Sequence, residues 1–480
     1  MVDPKIAVCP ICGSKTYLRI ENGSYLLSYP IRVSCLKCHS LIKGIYRMSA
    51  SNGVGKLYLY NAKIEECDTI PINNNTTIFV RNADFVAEIS GELPCKKARY
   101  YKSFQTKSFS TPFMDAAKQV DVENMINTLK RFVQNIREWE SYRSISFQLL
   151  SEGSMDYLPT ALHNKMGDYD YPCDNYLKSF HCLQAVVLEQ TRILFNDCRQ
   201  EDYIKNLINQ ISVIDETKLH SFVIKIGGVD SIISSFQKNM EVFSSFVDIY
   251  PHVLPAVTYT QYKNKEDSDI GISTCSFTDI KTFYQDAYEA LLSLLHIPVC
   301  MDNILFRNDY DVFGKTYISL FKKPRYKNLN DDLDKYLALD NGMKIEKIDP
   351  NETLQKALNF PAKRLLRNAI GHNNIKYNGA SQMITVYGMK NTGEIKLSLS
   401  LLDMAIQCIG LVKSSVIMSE ILLFIMRHEL INEGVRSIIP MQFYNNNEPN
   451  EKCPCGSNKK YKKCCKIDVE RIKHNKNGCT

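Results

Sequence analysis

"NETLQKALNFPAKRLLRNAIGHNN", residues 351 to 374, places Leu354, Leu358, Leu365, Leu366, Ala369 and Ile370 at helical spacing and then closes on Gly371, His372 and two asparagines. Apolar residues recurring every three or four positions predict an amphipathic helix, and glycine and asparagine just beyond the last apolar residue predict its end. Similar patterns lie on both sides: a helix at 278 to 297 and a long one at 398 to 430, with "IKYNGASQMITVYGMKNTGEIKLS" (375 to 398) reading as a hairpin between them. Residues 271 to 440 are therefore expected to form one helical domain.

Further upstream, helical spacing starts near residue 113 and recurs at 176 to 196, 202 to 213 and 229 to 248, so residues 113 to 270 are expected to be a second helical domain. Trp139 is expected to anchor a helix there, and "KIGGVDS" at 225 to 231 reads as a turn. Neither a phosphate-binding glycine loop nor a Ser-His-Asp layout occurs in this region. Between residues 61 and 112, β-branched and aromatic runs such as "TTIFV" and "DFVAEI" predict a few strands or a link. The fold class is thus mainly α, a helical bundle with a small β module at the N-terminus and a knuckle at the C-terminus.

Metal-ligand spacing dominates both ends. Cys9 and Cys12 in "CPICGSKT" are followed, after an interval of 22 residues, by Cys35 and Cys38 in "CLKCHS". Each Cys-x2-Cys knuckle offers two sulfurs at the bite tetrahedral Zn²⁺ needs, and the strand-like segments around them predict a zinc ribbon over residues 1 to 60. His39 stands next to this set, but four sulfurs already complete it. At the other end "CPCGSNKKYKKCC" carries Cys453, Cys455, Cys464 and Cys465 in the pattern C-x-C-x8-C-C. This resembles the SEC-C motif, a zinc-binding tail that recurs at the ends of many bacterial proteins. The resemblance implies a second structural Zn²⁺ and a partner such as a ribosome or an acidic protein surface. The polar, proline-containing "YNNNEPNE" before it predicts a short tether within residues 441 to 480.

Charge is distributed unevenly along the 480 residues. The net +7 comes from the ends: residues 1 to 60 hold 8 basic and 2 acidic side chains, residues 451 to 480 hold 9 and 3, and the stretch between holds 42 and 47. Basic ends on an acidic body point to phosphate or acidic protein as partner. The N-terminal "MVDPKIAVCPICG" has no export-signal pattern, so the 17 cysteines are expected to be reduced thiols in the cytoplasm. The most apolar stretch, residues 397 to 426, is interrupted by Asp403, Lys413 and Glu420 and is expected to be a buried helix rather than a membrane span.

The string Arg367-Asn368-x-x-x-His372 after a leucine-rich helix resembles the HEPN superfamily, whose ribonuclease members carry this motif. The resemblance spans about residues 270 to 440 and implies a HEPN-like helical bundle, a homodimer and RNA as substrate. Arg367, Asn368 and His372 would then form the catalytic set, in an effector of the bacterial toxin or antiphage abortive-infection kind. On an unbroken helix Arg367 and His372 point about 140° apart, whereas Asn368 and His372 share a face. A single site therefore needs either a backbone break, which Gly371 would ease, or a two-fold dimer that apposes two copies of the segment. The residue types suit cleavage by the RNA's own 2′-OH without a metal: imidazole exchanges protons near neutral pH and guanidinium matches phosphate. Two positions after His372 stands Asn374, not the tyrosine found in nucleotidylated members, so that regulation is not carried over. Alternatively Arg367 and His372 only end a helix, and the chain is a non-catalytic RNA- or ribosome-binding adaptor, or a partner-binding factor in protein export or quality control.

Overall fold

Each Cys-x2-Cys pair sits at the turn of a hairpin. Strand β1 (Val2–Val8) pairs antiparallel with β2 (Lys15–Glu21) from Val2↔Glu21 to Val8↔Lys15, and β3 (Ser28–Ser34) pairs with β4 (Leu41–Met48) from Ser28↔Arg47 to Ser34↔Leu41. Period-two alternation explains the second hairpin, since Tyr29, Ile31 and Val33 on one face of β3 are all buried. β5 (Gly55–Leu59) continues that sheet in the order β3-β4-β5. β6 (Lys63–Glu66), β7 (Thr77–Val80) and β8 (Glu88–Ser90) extend the first one in the order β6-β1-β2-β8-β7.

The structure, a computed structural model, describes residues 2–21, 26–35, 37–49, 55–66, 77–80, 88–90, 154–163, 175–195, 200–260, 271–361, 363–379, 381–388, 394–435, 447–453 and 459–466, plus scattered helical positions between 127 and 143. Most of the 61 to 112 stretch and, of the expected tether at 444 to 451, residues 444 to 446 lie outside the described residues.

Beyond the strands the described chain is mainly helical. First come α1 (Leu158–His163), α2 (Tyr176–Thr191), α3 (Gln200–Ile211), α4 (Glu216–Lys225) and α5 (Gly228–Thr260). Side-chain oxygens of Asn175 and Asp215 accept from Lys178 N and Lys218 N, capping α2 and α4. The Gly-Gly turn is where the sequence puts it: Gly227 (φ 107°) and Gly228 (φ 79°) take left-handed backbone where α4 gives way to α5. Next follow α6 (Phe277–Leu294) and α7 (His296–Arg307), and then four short helices, α8 (Lys315–Phe321), α9 (Asp332–Leu337), α10 (Asn341–Glu346) and α11 (Thr353–Leu358). The last elements are α12 (Arg364–Gly371), β9 (Ile375–Asn378), β10 (Met383–Tyr387), β11 (Ile395–Ser400) and α13 (Leu401–Asn432).

Two local expectations need correction. The single helix expected through 351 to 372 is two, α11 and α12, because Asn359 turns left-handed (φ 43°) and Pro361 has no N–H to continue the ladder. The expected hairpin after it is a three-stranded sheet in the order β11-β10-β9.

The chain divides into two compact units, neither continuous in sequence. One comprises Met1–Gln134, Ser245–Asp286 and Lys363–Gly410, the other Asn135–Ser244, Ala287–Ala362 and Leu411–Thr480. Residues 113 to 270 and 271 to 440, expected as successive domains, each contribute to both. Three of the five divisions fall inside α5, α6 and α13.

In the first unit the ribbon is fixed to the segment before α6 and to the β9–β11 sheet. Arg32 N donates to Ser273 O at 2.7 Å and Arg32 Nε to Asp279 Oδ2 at 3.1 Å. Gln382, half of a tight turn at φ 54°, bonds Ile272 through both its amide atoms, at 2.9 and 2.8 Å. Ser34 is so close to Gly379 that a Cβ there would lie 2.5 Å from Ser34 Oγ.

In the second unit α13 carries a polar line through an apolar core. Glu420, whose carboxyl is pushed up by burial, accepts from Gln184 Nε2 at 2.7 Å, and Asn239 Nδ2 donates to Ser419 Oγ at 2.6 Å. Trp139 is fully buried, with Nε1 on Ser244 Oγ at 3.3 Å and its ring edge-on to Phe243. Phe277–Arg307 and Leu401–Asn432 are each long and apolar enough to cross a membrane, but 67% and 89% of their most apolar windows are buried within the protein, as in core helices.

Asp302 on α7 accepts from Leu354 N, Gln355 N and Gln355 Nε2 at the start of α11. Burial, helped by the nearby Glu352 charge, pushes it up to about 7 against those hydrogen bonds. A carboxyl with a raised folded pKa contributes stability that is full in acid and is lost as pH climbs towards 7. Asp302→Asn is therefore expected to destabilise at pH 5 more than at pH 8. Thermal unfolding of both proteins at the two pH values measures this, and an equal deficit at both would contradict it.

Candidate metal centres and the Arg-Asn-His segment

The first centre is built by two equivalent turns. In each, an N–H after the knuckle bonds back to the first cysteine: Gly13 N to Cys9 O at 3.0 Å and His39 N to Cys35 O at 2.8 Å. Each first cysteine in turn donates forward, Cys9 N to Ser14 O and Cys35 N to Ser40 O, both at 2.9 Å. The position after the second cysteine must be left-handed, and it is: φ is 70° at Gly13 and 60° at His39.

These turns bring the four sulfurs together. Cys9 and Cys38 Sγ are 3.5 Å apart, as are Cys12 and Cys35, and all four lie within 4.8 Å of one another. A tetrahedral Zn²⁺ with Zn–S near 2.3 Å needs S···S edges of about 3.8 Å, so the set fits. Burial pushes the Cys35 thiol up to about 12. At Cys9 burial is outweighed by Ser40 Oγ and the N–H groups of Cys12 and Ile11, which bring it down to about 6. Four thiolates at this range repel unless a cation sits between them. Four protein ligands would leave no open position for water or substrate, so a metal held here would be structural.

Ser40 was not foreseen from the spacing. Its Oγ lies 3.2 Å from Cys9 Sγ and 3.1 Å from Cys38 Sγ, tying the two knuckles together. The available signal was positional, since Ser14 and Ser40 hold matching places two residues after each knuckle.

At the second centre Cys453, Cys464 and Cys465 Sγ lie within 4.8 Å of one another. A bridge between Lys452 and Lys460, with Cys453 N on Lys459 O at 2.7 Å and Tyr461 N on Glu451 O at 2.8 Å, folds the two halves of the motif together around a buried Tyr461. Cys455, the expected fourth ligand, lies outside the described residues.

The Arg-Asn-His segment lies on α12. Leu366 and Ala369 are buried and fix the helix, Arg367 and Asn368 are half-buried, and His372 is exposed at its end. Of the two ways to a single site, a backbone break at Gly371 is absent: His372 N still reaches Asn368 O at 2.9 Å, so helical geometry runs through the glycine. The helix stops one residue later, where Asn373 turns left-handed (φ 57°) and Asn373 N and Asn374 N close on Ile370 O and Ala369 O. Arg367 Nη1 donates to Asn368 Oδ1 at 3.0 Å. The helix thus joins Arg367 to Asn368 and sets Asn368 and His372 on one face, while Arg367 and His372 diverge by about 140° within one chain.

A SEC-C motif profile matches residues 450–466. No family match supports the HEPN resemblance of the helical region. Neither a curated protein nor a solved structure matches the chain.

Proposed function

We propose that the protein is a metal-independent endoribonuclease whose site is completed by a second copy of α12. The observation that supports this is the presentation of the segment: a helix anchored by Leu366 and Ala369 carries Arg367 bonded to Asn368, and holds His372 in solvent on the Asn368 face. Two such helices related by a two-fold axis place the Arg367 of one beside the His372 of the other.

The reaction draws its nucleophile from the substrate. One imidazole takes the proton from a ribose 2′-OH, and that oxygen attacks the adjacent phosphorus. The Arg367 guanidinium neutralises the phosphorane, and the bond to the 5′ oxygen breaks as the same imidazole, now protonated, gives its proton to that oxygen. The products are a 2′,3′-cyclic phosphate and a free 5′-OH. In a bacterial cell this is toxin or antiphage chemistry.

Where they bind Zn²⁺, Cys9, Cys12, Cys35 and Cys38 hold the ribbon, and Cys453, Cys464 and Cys465 with Cys455 hold the tail. Zinc supplies shape to both and takes no part in the steps above. The test is incubation with single-stranded RNA in EDTA: fragments ending in 2′,3′-cyclic phosphate support the enzyme, and intact RNA under all conditions sinks it.

The SEC-C match favours a second role, an adaptor tail that recruits a ribosome or protein partner. A pull-down with and without residues 451 to 480 tests it. A partner retained by both forms would remove the tail as the contact.

A further inference from the structure

Within the first unit a cavity of about 390 Å³ opens beside the four-cysteine cluster of the ribbon. Its walls come from the ribbon (Ser34, His39, Leu41), the start of α6 (Ser276, Phe277, Thr278) and β9 with the glycine after it. β9 is an edge strand of its sheet, so the cavity runs along an edge rather than over a sheet face. Phe277 and Tyr377 stack there with centroids 5.7 Å apart and planes 25° from parallel, while Lys376, His39 and Asn378 are exposed around them.

His39 is an unusual choice at its position. The equivalent place in the other knuckle is Gly13, which adopts a positive φ without steric cost, whereas His39 holds φ 60° with a side chain. A non-glycine residue kept at such a backbone position points to a use for its side chain, and this one lines the cavity.

We propose that this cavity is a nucleotide subsite for single-stranded RNA, a reading that rests on the nuclease assignment. A base stacks on the Tyr377–Phe277 pair, the Lys376 ammonium meets a phosphate, and His39 contributes a ring nitrogen at the rim. Stacking on aromatic rings with a cation alongside is how unpaired nucleotides are held without base pairing. Position in the chain supports this occupant. Tyr377 follows His372 by five residues, so the two α-carbons are no more than about 18 Å apart, within the span of a few nucleotides. An RNA cut at His372 would therefore pass the cavity with its flanking bases. The first 60 residues, with 8 basic and 2 acidic side chains, add a field that favours a polyanion.

Fluorescence anisotropy with a short labelled single-stranded RNA, titrated with full-length protein carrying His372→Ala, separates binding from cleavage. Added Tyr377→Leu is expected to raise Kd about tenfold and Tyr377→Phe to leave it within about twofold, since only the former removes the ring. Lys376→Ala, at an exposed position that does not threaten folding, should weaken binding and lower the salt dependence of log Kd by about one ion. If Tyr377→Leu and Lys376→Ala both leave Kd unchanged while the unsubstituted protein cleaves RNA, the subsite is wrong and the nuclease stands. If nothing is cleaved but both substitutions weaken binding, the subsite stands and the nuclease falls.

Discussion

Replacing His372 with alanine should lower RNA cleavage by about 10³-fold, within the 10²- to 10⁴-fold range a positioned acid or base supplies, while leaving the melting temperature unchanged within error. The second half follows from the structure. His372 is exposed, and the helix end is closed by the backbone bonds of Asn373 and Asn374, which alanine at 372 does not touch. Arg367→Ala should cost a comparable factor through the lost charge on the phosphorane, and Arg367→Lys should recover little, because an ammonium lacks the flat two-pronged fork. Initial rates on a quenched RNA reporter measure both. A His372→Ala protein that cleaves at the full rate would remove the imidazole from the mechanism.

Loss of the N-terminal metal is the second large effect. The isolated protein should contain two zinc ions per chain, and Cys35→Ser should contain one. Cys35 is buried and its Sγ is 3.5 Å from Cys12 Sγ, so a serine there removes a ligand without offering an equivalent donor. In small zinc modules the binding free energy is largely the folding free energy, so the β3–β4 hairpin should lose its hydrogen-exchange protection. The damage should spread beyond the ribbon, because Arg32 on β3 holds Asp279 and Ser273, and Ser34 abuts Gly379. RNA affinity should therefore fall together with ribbon protection. Hydrogen exchange measured by mass spectrometry would contradict this if the amides of 28 to 48 stayed protected in Cys35→Ser.

The chemistry at the two ends was legible in the sequence because it is local. A Cys-x2-Cys pair fixes two sulfurs through one turn, and the same turn generates the hairpins β1–β2 and β3–β4. The long helices were legible for a similar reason, since apolar periodicity over several turns outweighs any single residue. The periodicity also misled, running across Asn359 and Pro361 and joining α11 to α12. Gly371 left the choice open in sequence, as glycine permits a break without requiring one. The division of the chain was hidden because it depends on pairs far apart in sequence. Arg32 meets Asp279 across 247 positions, and no composition shift marks either residue. His39 shows the same limit, reading as a spare ligand in sequence and lining a cavity in the fold.

What no single chain displays is the pairing of Arg367 with His372. The test is co-expression of an Arg367→Ala chain and a His372→Ala chain under different tags, with the mixed dimers purified through both. If each site takes its arginine from one copy and its histidine from the other, every mixed dimer keeps one intact site of two. An unfractionated random mixture then recovers about a quarter of the wild-type cleavage rate. A mixture no more active than either variant alone, beside a wild-type protein that cleaves, would contradict the shared site.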